Sequence, residues 1–219
     1  MKTRLLKGIV GIEAAIVLIA FVVVAAALAF VALNMGFYTT QRSKEVMAAG
    51  LAQASSSLEL DGSVLAQVDT TSKKVECIVI PIRLSAGQKE VDLTPNKTTI
   101  ALWIIGKAAF TNIYSSSKQA VPDPQASYSV SDLCGEAEGV PNGVAIIWGP
   151  GSNGDTVLGP GEKALVVISF TALPLSPGSS LDVSSYDVIK VEIKPPLGAA
   201  LTVERTVPAS LTAEIMDFG

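Results

Sequence analysis

The stretch AAIVLIAFVVVAAALAFVAL, residues 14–33, consists of twenty apolar residues without a charge. As a helix rising 1.5 Å per residue it would be roughly 30 Å long, which matches the hydrocarbon thickness of a bilayer. The stretch is apolar on every side, so a helix formed from it has to be surrounded by lipid or by other apolar helices. It therefore predicts a helix whose whole surface requires an apolar environment.

A short basic sequence, MKTRLLKG, occupies residues 1–8 in front of the apolar run. Its three positive charges favour a cytoplasmic N-terminus by the positive-inside rule. A secretory signal peptide would be cut after its apolar segment. Here the plausible cut lies before that segment, between Gly8 and Ile9. We therefore expect residues 1–8 to be a cleaved leader and the mature protein to begin with its apolar helix.

Helical spacing continues beyond the apolar run, in an amphipathic form. The apolar positions of this second part are Val46, Met47, Gly50, Leu51, Ala54 and Leu58. We predict one long helix within residues 9–60, ending near Ser55–Ser57, with Asp61-Gly62 as the stop and a possible kink site at Asn34–Gly36.

Glu13 is the one ionisable residue near the apolar run. A carboxylate in apolar surroundings costs a few kcal/mol unless it has a partner. One interpretation is a carboxylate that reaches the lipid headgroups. The other is an ion pair with the α-amine of Ile9, in the same or a neighbouring subunit, once cleavage has created that amine. Ile9 and Glu13 are the predicted assembly residues.

Residues 61–219 read as a β domain. Apolar, β-branched segments alternate with Gly, Pro, Asn and Ser turns. The predicted strands are Val75–Leu84, Thr98–Phe110, Val144–Trp148, Ala164–Thr171, Val188–Lys194 and Ala200–Val207. Strands at this density predict an antiparallel Ig-like sandwich or barrel, with Trp103 and Trp148 in the core and no long helix. The fold class is thus α+β.

Composition excludes several functions. The chain has no histidine, so Ser-His and Cys-His nucleophile pairs are impossible. Its net charge is −4 without a dense basic patch, which disfavours nucleic-acid binding. Residues 149–156 and the acidic residues around Cys134 are interpreted as surface loops. We expect no catalytic residue, no metal and no cofactor.

Two further sites are open to alternative interpretations. Cys77 and Cys134 allow one disulfide, or two buried thiols. Asn96-Lys97-Thr98 is an N-x-[ST] sequon at a predicted turn, so Asn96 is a candidate N-glycan acceptor, although so short a motif also occurs by chance.

The N-terminal sequence resembles the type IV pilin superfamily. Lys7-Gly8 before Ile9 is similar to its class III signal peptide, and residues 12–18 (IEAAIVL) are similar to its assembly helix. Within the superfamily, KGIVGI at residues 7–12 is closest to the archaellins, the archaeal flagellins. The sequence LGPGEKALVVI at residues 158–168 resembles a stretch of the archaellin β domain.

This resemblance implies a structural subunit of an archaeal surface filament, an archaellum for swimming. The implied partners are identical or paralogous subunits, a leader peptidase, and a membrane assembly platform with its ATPase. It also implies an extracellular location after a membrane-inserted precursor, and N-glycosylation. Because bacterial-type pilins carry a glutamate at the position of Glu13, an archaeal adhesion pilin is an alternative, and a single-pass anchored surface domain is another.

Overall fold

The computed structural model describes residues 7–55, 58–114, 128–173 and 181–219. Most of the predicted leader, residues 1–6, therefore lies outside the described residues. The chain divides into two compact units, residues 1–50 and residues 51–219.

The first unit is formed by a single helix, α1 (Lys7–Ser55), whose 49 residues extend slightly into the second unit. The helix continues through Asn34–Gly36 without interruption. It ends at Ser55, within the predicted Ser55–Ser57, and Leu58, which the helical spacing had included, belongs instead to a strand, Leu58–Leu60, that pairs with residues 82–84. The β domain therefore begins by residue 58.

The second unit is built mainly from antiparallel strands. In chain order they are β1 (Leu58–Leu60), β2 (Leu65–Asp69), β3 (Lys74–Leu84), β4 (Val91–Asp92), β5 (Thr99–Ile104), β6 (Ala108–Phe110), β7 (Val144–Trp148), β8 (Val157–Leu158), β9 (Lys163–Ser169), β10 (Val188–Lys194), β11 (Leu201–Thr206) and β12 (Ile215–Asp217). A short helix, α2 (Val130–Glu138), and a 3-10 turn, Pro141–Gly143, precede β7.

Two sheets face each other across one core. The larger has the order β12-β2-β3-β9-β7, with β1 also pairing with β3, and the smaller has the order β11-β10-β5-β6. Burial alternates along β5 and β10, as expected for strands with one face inward. Their buried side chains join those of β3 and β9 in a single apolar cluster. The α+β fold class with an antiparallel sandwich is confirmed.

The predicted strand Thr98–Phe110 is wrong as one element, because a turn at residues 105–107 divides it into β5 and β6. Gly106 has φ +82°, a left-handed conformation that glycine adopts without steric cost. The Lys107 amide donates a hydrogen bond to the Ile104 carbonyl at 2.9 Å and closes the turn.

The helix α2 was missed, and the prediction that the acidic residues around Cys134 lie in a loop is wrong. Ser129 caps α2 through a capping box with Asp132, and both halves of this motif are readable in the sequence. The buried residues of α2 are Val130, Leu133, Cys134 and Ala137, which follow helical spacing. They cover the face of the larger sheet opposite the main core and form a second apolar cluster with Val79, Ala145, Ile147 and Val167.

Trp148 is buried in the core as predicted, but Trp103 is not. Trp103 lies on the outward side of β5, directly opposite Lys190 of β10. The Lys190 ammonium lies 5.9 Å from the centroid of the Trp103 ring, within the range of a cation–π contact. The strand alternation assigns Leu102 and Ile104 to the core and leaves Trp103 half-exposed.

Cys77 of β3 and Cys134 of α2 form a disulfide across a sequence separation of 57 residues. Closing a loop of that length restricts the unfolded chain, which is worth about 4 kcal/mol in a chain-entropy account. Replacing both cysteines with alanine should therefore lower the free energy of unfolding by about 2–4 kcal/mol. Thermal unfolding of the full chain in detergent micelles, followed by near-UV circular dichroism, measures this loss. A reductant should lower the melting temperature of the wild type and leave that of the double variant unchanged; equal melting temperatures of the two proteins would contradict the prediction.

Candidate assembly site

The helix α1 exposes apolar side chains along its described length. Each is between 56 and 74% exposed; they are Ile12, Ile16, Val17, Leu18, Ile19, Phe21, Val22, Val23, Val24, Leu28, Phe30, Val31, Leu33, Met35, Phe37, Tyr38, Val46, Met47 and Leu51. Fully burying one such side chain contributes about 1.5–3 kcal/mol. Leaving the whole set in water therefore costs on the order of tens of kcal/mol. The surface of α1 requires a partner or a membrane.

By length and composition, α1 is able to cross a bilayer. Its candidate span is Gly11–Leu51, with a mean hydropathy of 3.2 in its most apolar window. A core helix of a soluble protein would bury much of such a segment, but this window is 0% buried. The need of this helix for apolar surroundings can be met either by lipid or by a bundle of like helices.

The charges of α1 lie towards its two ends. Residues 14–41 contain none, so Glu13 precedes an uncharged stretch that ends before Arg42. Glu13 itself is exposed. The backbone of Lys7, Gly8 and Ile9 is helical, whereas their side chains lie outside the described set. The proposed Ile9–Glu13 pair stays a prediction.

The hydroxyls of two threonines in the uncharged stretch donate hydrogen bonds to backbone carbonyls of the preceding helical turn. Thr39 donates to the carbonyls of Met35 and Gly36, each at 3.0 Å, and Thr40 donates to Gly36 at 2.8 Å. A hydroxyl that bonds the preceding turn can enter apolar surroundings without leaving a donor unpaired. The surface available for apolar packing therefore extends to residue 40.

Beyond that level, α1 becomes polar. Arg42 and Glu45 form an exposed ion pair at 2.9 Å, one helical turn apart. Exposed pairs of this type contribute only about 0.3–0.5 kcal/mol to a helix, so their main effect is to make this level compatible with water. The apolar requirement thus applies chiefly to the N-terminal part of α1.

The candidate glycan acceptor Asn96 is exposed at a turn between β4 and β5. Its φ is +67°, a left-handed conformation that asparagine tolerates better than most residues. Thr98, the third residue of the sequon, is fully buried, and its hydroxyl donates to the Asp92 carbonyl at 2.6 Å. The acceptor side chain is therefore accessible while the sequon hydroxyl is engaged in the fold.

The loop between β7 and β9 is organised by Glu162, within the PGE sequence at residues 160–162. Its two carboxylate oxygens accept hydrogen bonds from the amides of Asn153, at 2.8 Å, and Gly159, at 2.7 Å. The Asp155 carboxylate accepts from Val157 and from the Asn153 side chain. Within the described residues, no group of three or more His, Cys, Asp or Glu side chains could hold a metal ion.

An ion cluster at the start of the β domain links three elements. Asp61, whose side chain is 14% exposed, lies 2.6 Å from Lys163 of β9 and 3.3 Å from Arg83 of β3. Arg83 also bonds Glu59 of β1 at 2.7 Å. The hydrogen bond from Lys163 holds the pKa of Asp61 below its ordinary value, aided by the charges of Lys163 and Arg83 against a smaller effect of burial. This cluster fastens the chain leaving β1 to the larger sheet.

An exposed apolar helix followed by an antiparallel β-sandwich is consistent with a filament subunit of the pilin-like class. A family model for archaeal-type flagellin matches residues 8–205. The chain therefore belongs to the archaeal-type flagellin family, and it is a structural subunit of the archaellum, a filament on the cell surface.

Individual relatives agree with this assignment. Probable flagellin 1 of Aeropyrum pernix is 48% identical over 208 residues, covering 94% of each chain. Probable flagellin 1 of Archaeoglobus fulgidus is 35% identical over 205 residues, covering 94% of this chain and 92% of the relative.

Two solved structures are similar. The archaeal flagellum of Methanospirillum hungatei strain JF1 matches with a TM-score of 0.62 at 26% identity, covering 94% of this chain and 98% of that one. Archaeal flagellin FlaB1 from Methanocaldococcus jannaschii shares the fold, with a TM-score of 0.57 at 15% identity over 74% of this chain and 96% of that one.

The Asp61 cluster generates a pH prediction. Because the folded-state pKa of Asp61 is depressed, its contribution to stability is present above the unfolded pKa of about 3.9 and is lost as the pH falls through the folded pKa. Asp61→Asn should lower the free energy of unfolding by about 0.5–1 kcal/mol at pH 7, since both cationic partners are largely exposed. Thermal unfolding of the full chain in micelles, from pH 7 to pH 2, should show the wild type and the variant converging below pH 4. A difference that stays constant over this range would refute the assignment.

Proposed function

We propose that this chain is made as a membrane-inserted precursor, loses residues 1–8 by cleavage between Gly8 and Ile9, and then polymerises through α1 into the archaellum core. The observation that carries this proposal is the exposure of the apolar side chains of α1 along residues 11–51. That surface is compatible with lipid before assembly and with a bundle of like helices afterwards. A subunit released into water would expose it at a cost on the order of tens of kcal/mol. The assembled filament is therefore effectively permanent.

The transfer from lipid to bundle has little hydrophobic driving force, because lipid tails and packed side chains are equally apolar. Better packing and an external energy source have to supply the direction. We therefore assign three kinds of partner: a leader peptidase, a membrane assembly platform and its ATPase. The other contacts of α1 are with identical or paralogous subunits. No catalytic role is proposed for the chain itself.

Glu13 and Ile9 form the proposed assembly pair. Cleavage at Gly8 converts the Ile9 amide nitrogen into a cationic α-amine, four positions before the Glu13 carboxylate and so about one helical turn away. An anion near the N-terminus of a helix is also favoured by the helix dipole. The pair, formed within a subunit or between neighbours, would neutralise the charge that otherwise opposes burial of this end.

The β domain faces solvent in this arrangement, and Asn96 is its proposed N-glycosylation site. The exposure of Asn96 at a turn supports the proposal. The adhesion-pilin alternative depended on Glu13 alone, whereas the family match over residues 8–205 favours the motility filament.

Gly8→Val tests the processing step. The branched side chain beside the scissile bond should block cleavage, so the protein should keep its Met1 terminus, remain in the membrane fraction and form no filaments. N-terminal sequencing and intact-mass measurement of sheared surface filaments and of membranes provide the readout, and the mass of the wild-type subunit also reports whether it carries a glycan. Thr3→Val, a leader change away from the cut, is the control. Normal filaments from Gly8→Val would disprove the proposed cleavage.

Glu13→Gln tests the assembly pair, because it removes the charge and preserves the side-chain size. Charge-assisted hydrogen bonds contribute about 1.5–3 kcal/mol, so filament yield should fall by about tenfold or more while cleavage proceeds normally. Glu90→Gln, an exposed carboxylate of the β domain, is the matched control. Equal filament yields from the two variants would instead favour a Glu13 carboxylate that reaches the headgroups.

A further inference from the structure

The sequon Asn96-Lys97-Thr98 lies in a closed turn between β4 and β5. The amides of Lys97 and Thr98 both donate to the Thr94 carbonyl, at 3.2 and 3.0 Å. The backbone of Asn96 is left-handed, with φ +67°, and therefore not extended. The Lys97 ammonium also bonds the Asp92 carboxylate at 2.7 Å. These contacts hold the backbone of the sequon in one compact conformation.

The side chain of Thr98 is the buried part of the sequon. Thr98 is 0% exposed, and among the residues that the structure describes only Ser169 is another buried polar residue. The Thr98 hydroxyl donates to the Asp92 carbonyl at 2.6 Å. Another protein can contact this hydroxyl only after the hydrogen bond has broken and the side chain has left the interior of the domain.

The segments on both sides of Thr98 are anchored in the fold. The Leu93 amide donates to the Thr156 carbonyl at 2.9 Å, and the buried Tyr114 hydroxyl donates to the Leu93 carbonyl at 2.8 Å. On the other side, β5 begins at the residue after Thr98 and pairs with β10. Exposing the Thr98 hydroxyl therefore requires local unfolding at the start of β5, because the movement of one side chain is not enough.

The recognition signal for N-glycosylation has two parts, an asparagine and a hydroxyl two positions later. An enzyme that selects such sequons has to contact both parts. In the folded domain Asn96 is exposed, whereas the Thr98 hydroxyl is buried. The fold can thus carry a glycan on the exposed turn, but it conceals half of the signal that the transfer reaction requires.

We propose that the glycan is transferred to Asn96 before the β domain folds, on the outer side of the membrane, and that folding then closes the sequon to the transferase. The donor class is an oligosaccharide carried on a lipid phosphate. The Asn96 amide nitrogen forms a bond to the anomeric carbon of the sugar, the lipid phosphate leaves with the electron pair of the broken bond, and an amide proton is released to solvent. Glycan transfer and folding therefore compete for the same unfolded chain.

This inference rests on Asn96 as the acceptor, which belongs to the proposed function, and it adds the order of two events. In the proposed precursor, α1 holds the emerging β domain at the membrane, where a lipid-carried donor is also located. The unfolded sequon and the donor are thus close together before assembly removes the subunit from the membrane.

A folded and an unfolded form of the full-length chain test this order. The wild-type chain and Trp148→Asp, whose charge in the core should prevent folding, are made in a bacterial host that adds no glycan and are held in detergent micelles. Both are incubated with membranes of filament-producing cells, which supply the transferase and its lipid-linked sugar. Mass spectrometry of the peptide that contains Asn96 measures the rate of modification, and near-UV circular dichroism checks the folding state.

The folded wild-type chain should be modified at least about tenfold more slowly than Trp148→Asp, because only its small locally open population can react. Equal rates for the two chains would overturn the proposed order. If neither chain is modified, Asn96 is not the acceptor, because Trp148→Asp offers the transferase an open sequon. The failure of the order and the failure of the acceptor assignment are therefore distinguishable.

Asp92→Ala provides a second test within the folded chain. The Asp92 carboxylate bonds Lys97 and accepts from the Thr94 amide at 2.9 Å, so its removal should loosen the turn without changing the sequon. The folded variant should be modified about threefold or more faster than the folded wild type. Asp187→Ala is the matched control, since Asp187 also pairs with a lysine and accepts from the amide of Ser184, at 2.7 Å, in a turn outside the sequon. An Asp92→Ala chain modified no faster than Asp187→Ala would contradict closure of the sequon by its own turn.

Discussion

The main physical constraint on this molecule is the apolar surface of α1, which is exposed along residues 11–51. A globular protein buries most of its large apolar side chains in its own core, whereas this helix exposes them along some forty residues. Its stability is therefore a property of its surroundings, which have to be apolar. In the proposed assembly, the helices would exclude water from the centre of the polymer and the β domain would keep its surface compatible with water.

The β domain, in contrast, buries most of its large apolar side chains within its own fold. Two sheets share one core, and a second, smaller core lies under α2 on the other face of the larger sheet. The short helix α2 could not remain folded by itself, since isolated helices of this length are marginal in water. The Cys77–Cys134 disulfide and the capping box of Ser129 fasten it to the sheet. The result is a domain whose only described exposed apolar groups are few and localised.

The charged side chains are distributed differently in α1 and in the β domain. Along α1 it is absent between Glu13 and Arg42, and the threonine hydroxyls in that interval bond the helix backbone. In the β domain, ion pairs join elements that are distant in sequence, as Lys163 does with Asp61 and Lys107 does with Asp187. These clusters fix the loops at the surface of the domain, where a filament subunit meets its neighbours or solvent.

By itself, the sequence determined the features that depend on local pattern: the apolar helix, its end near Ser55, most long strands and the α+β class. It also contained the capping box and helical spacing of α2, a signal that was readable but missed. Tertiary structure alone decided which strands pair, that β5 and β6 are separated by a turn, that Trp103 faces outward beneath Lys190, and that the sequon hydroxyl of Thr98 is buried. The physical reason is that periodicity records burial along one segment, whereas pairing and juxtaposition depend on contacts between residues far apart in the chain, to which no local pattern is sensitive.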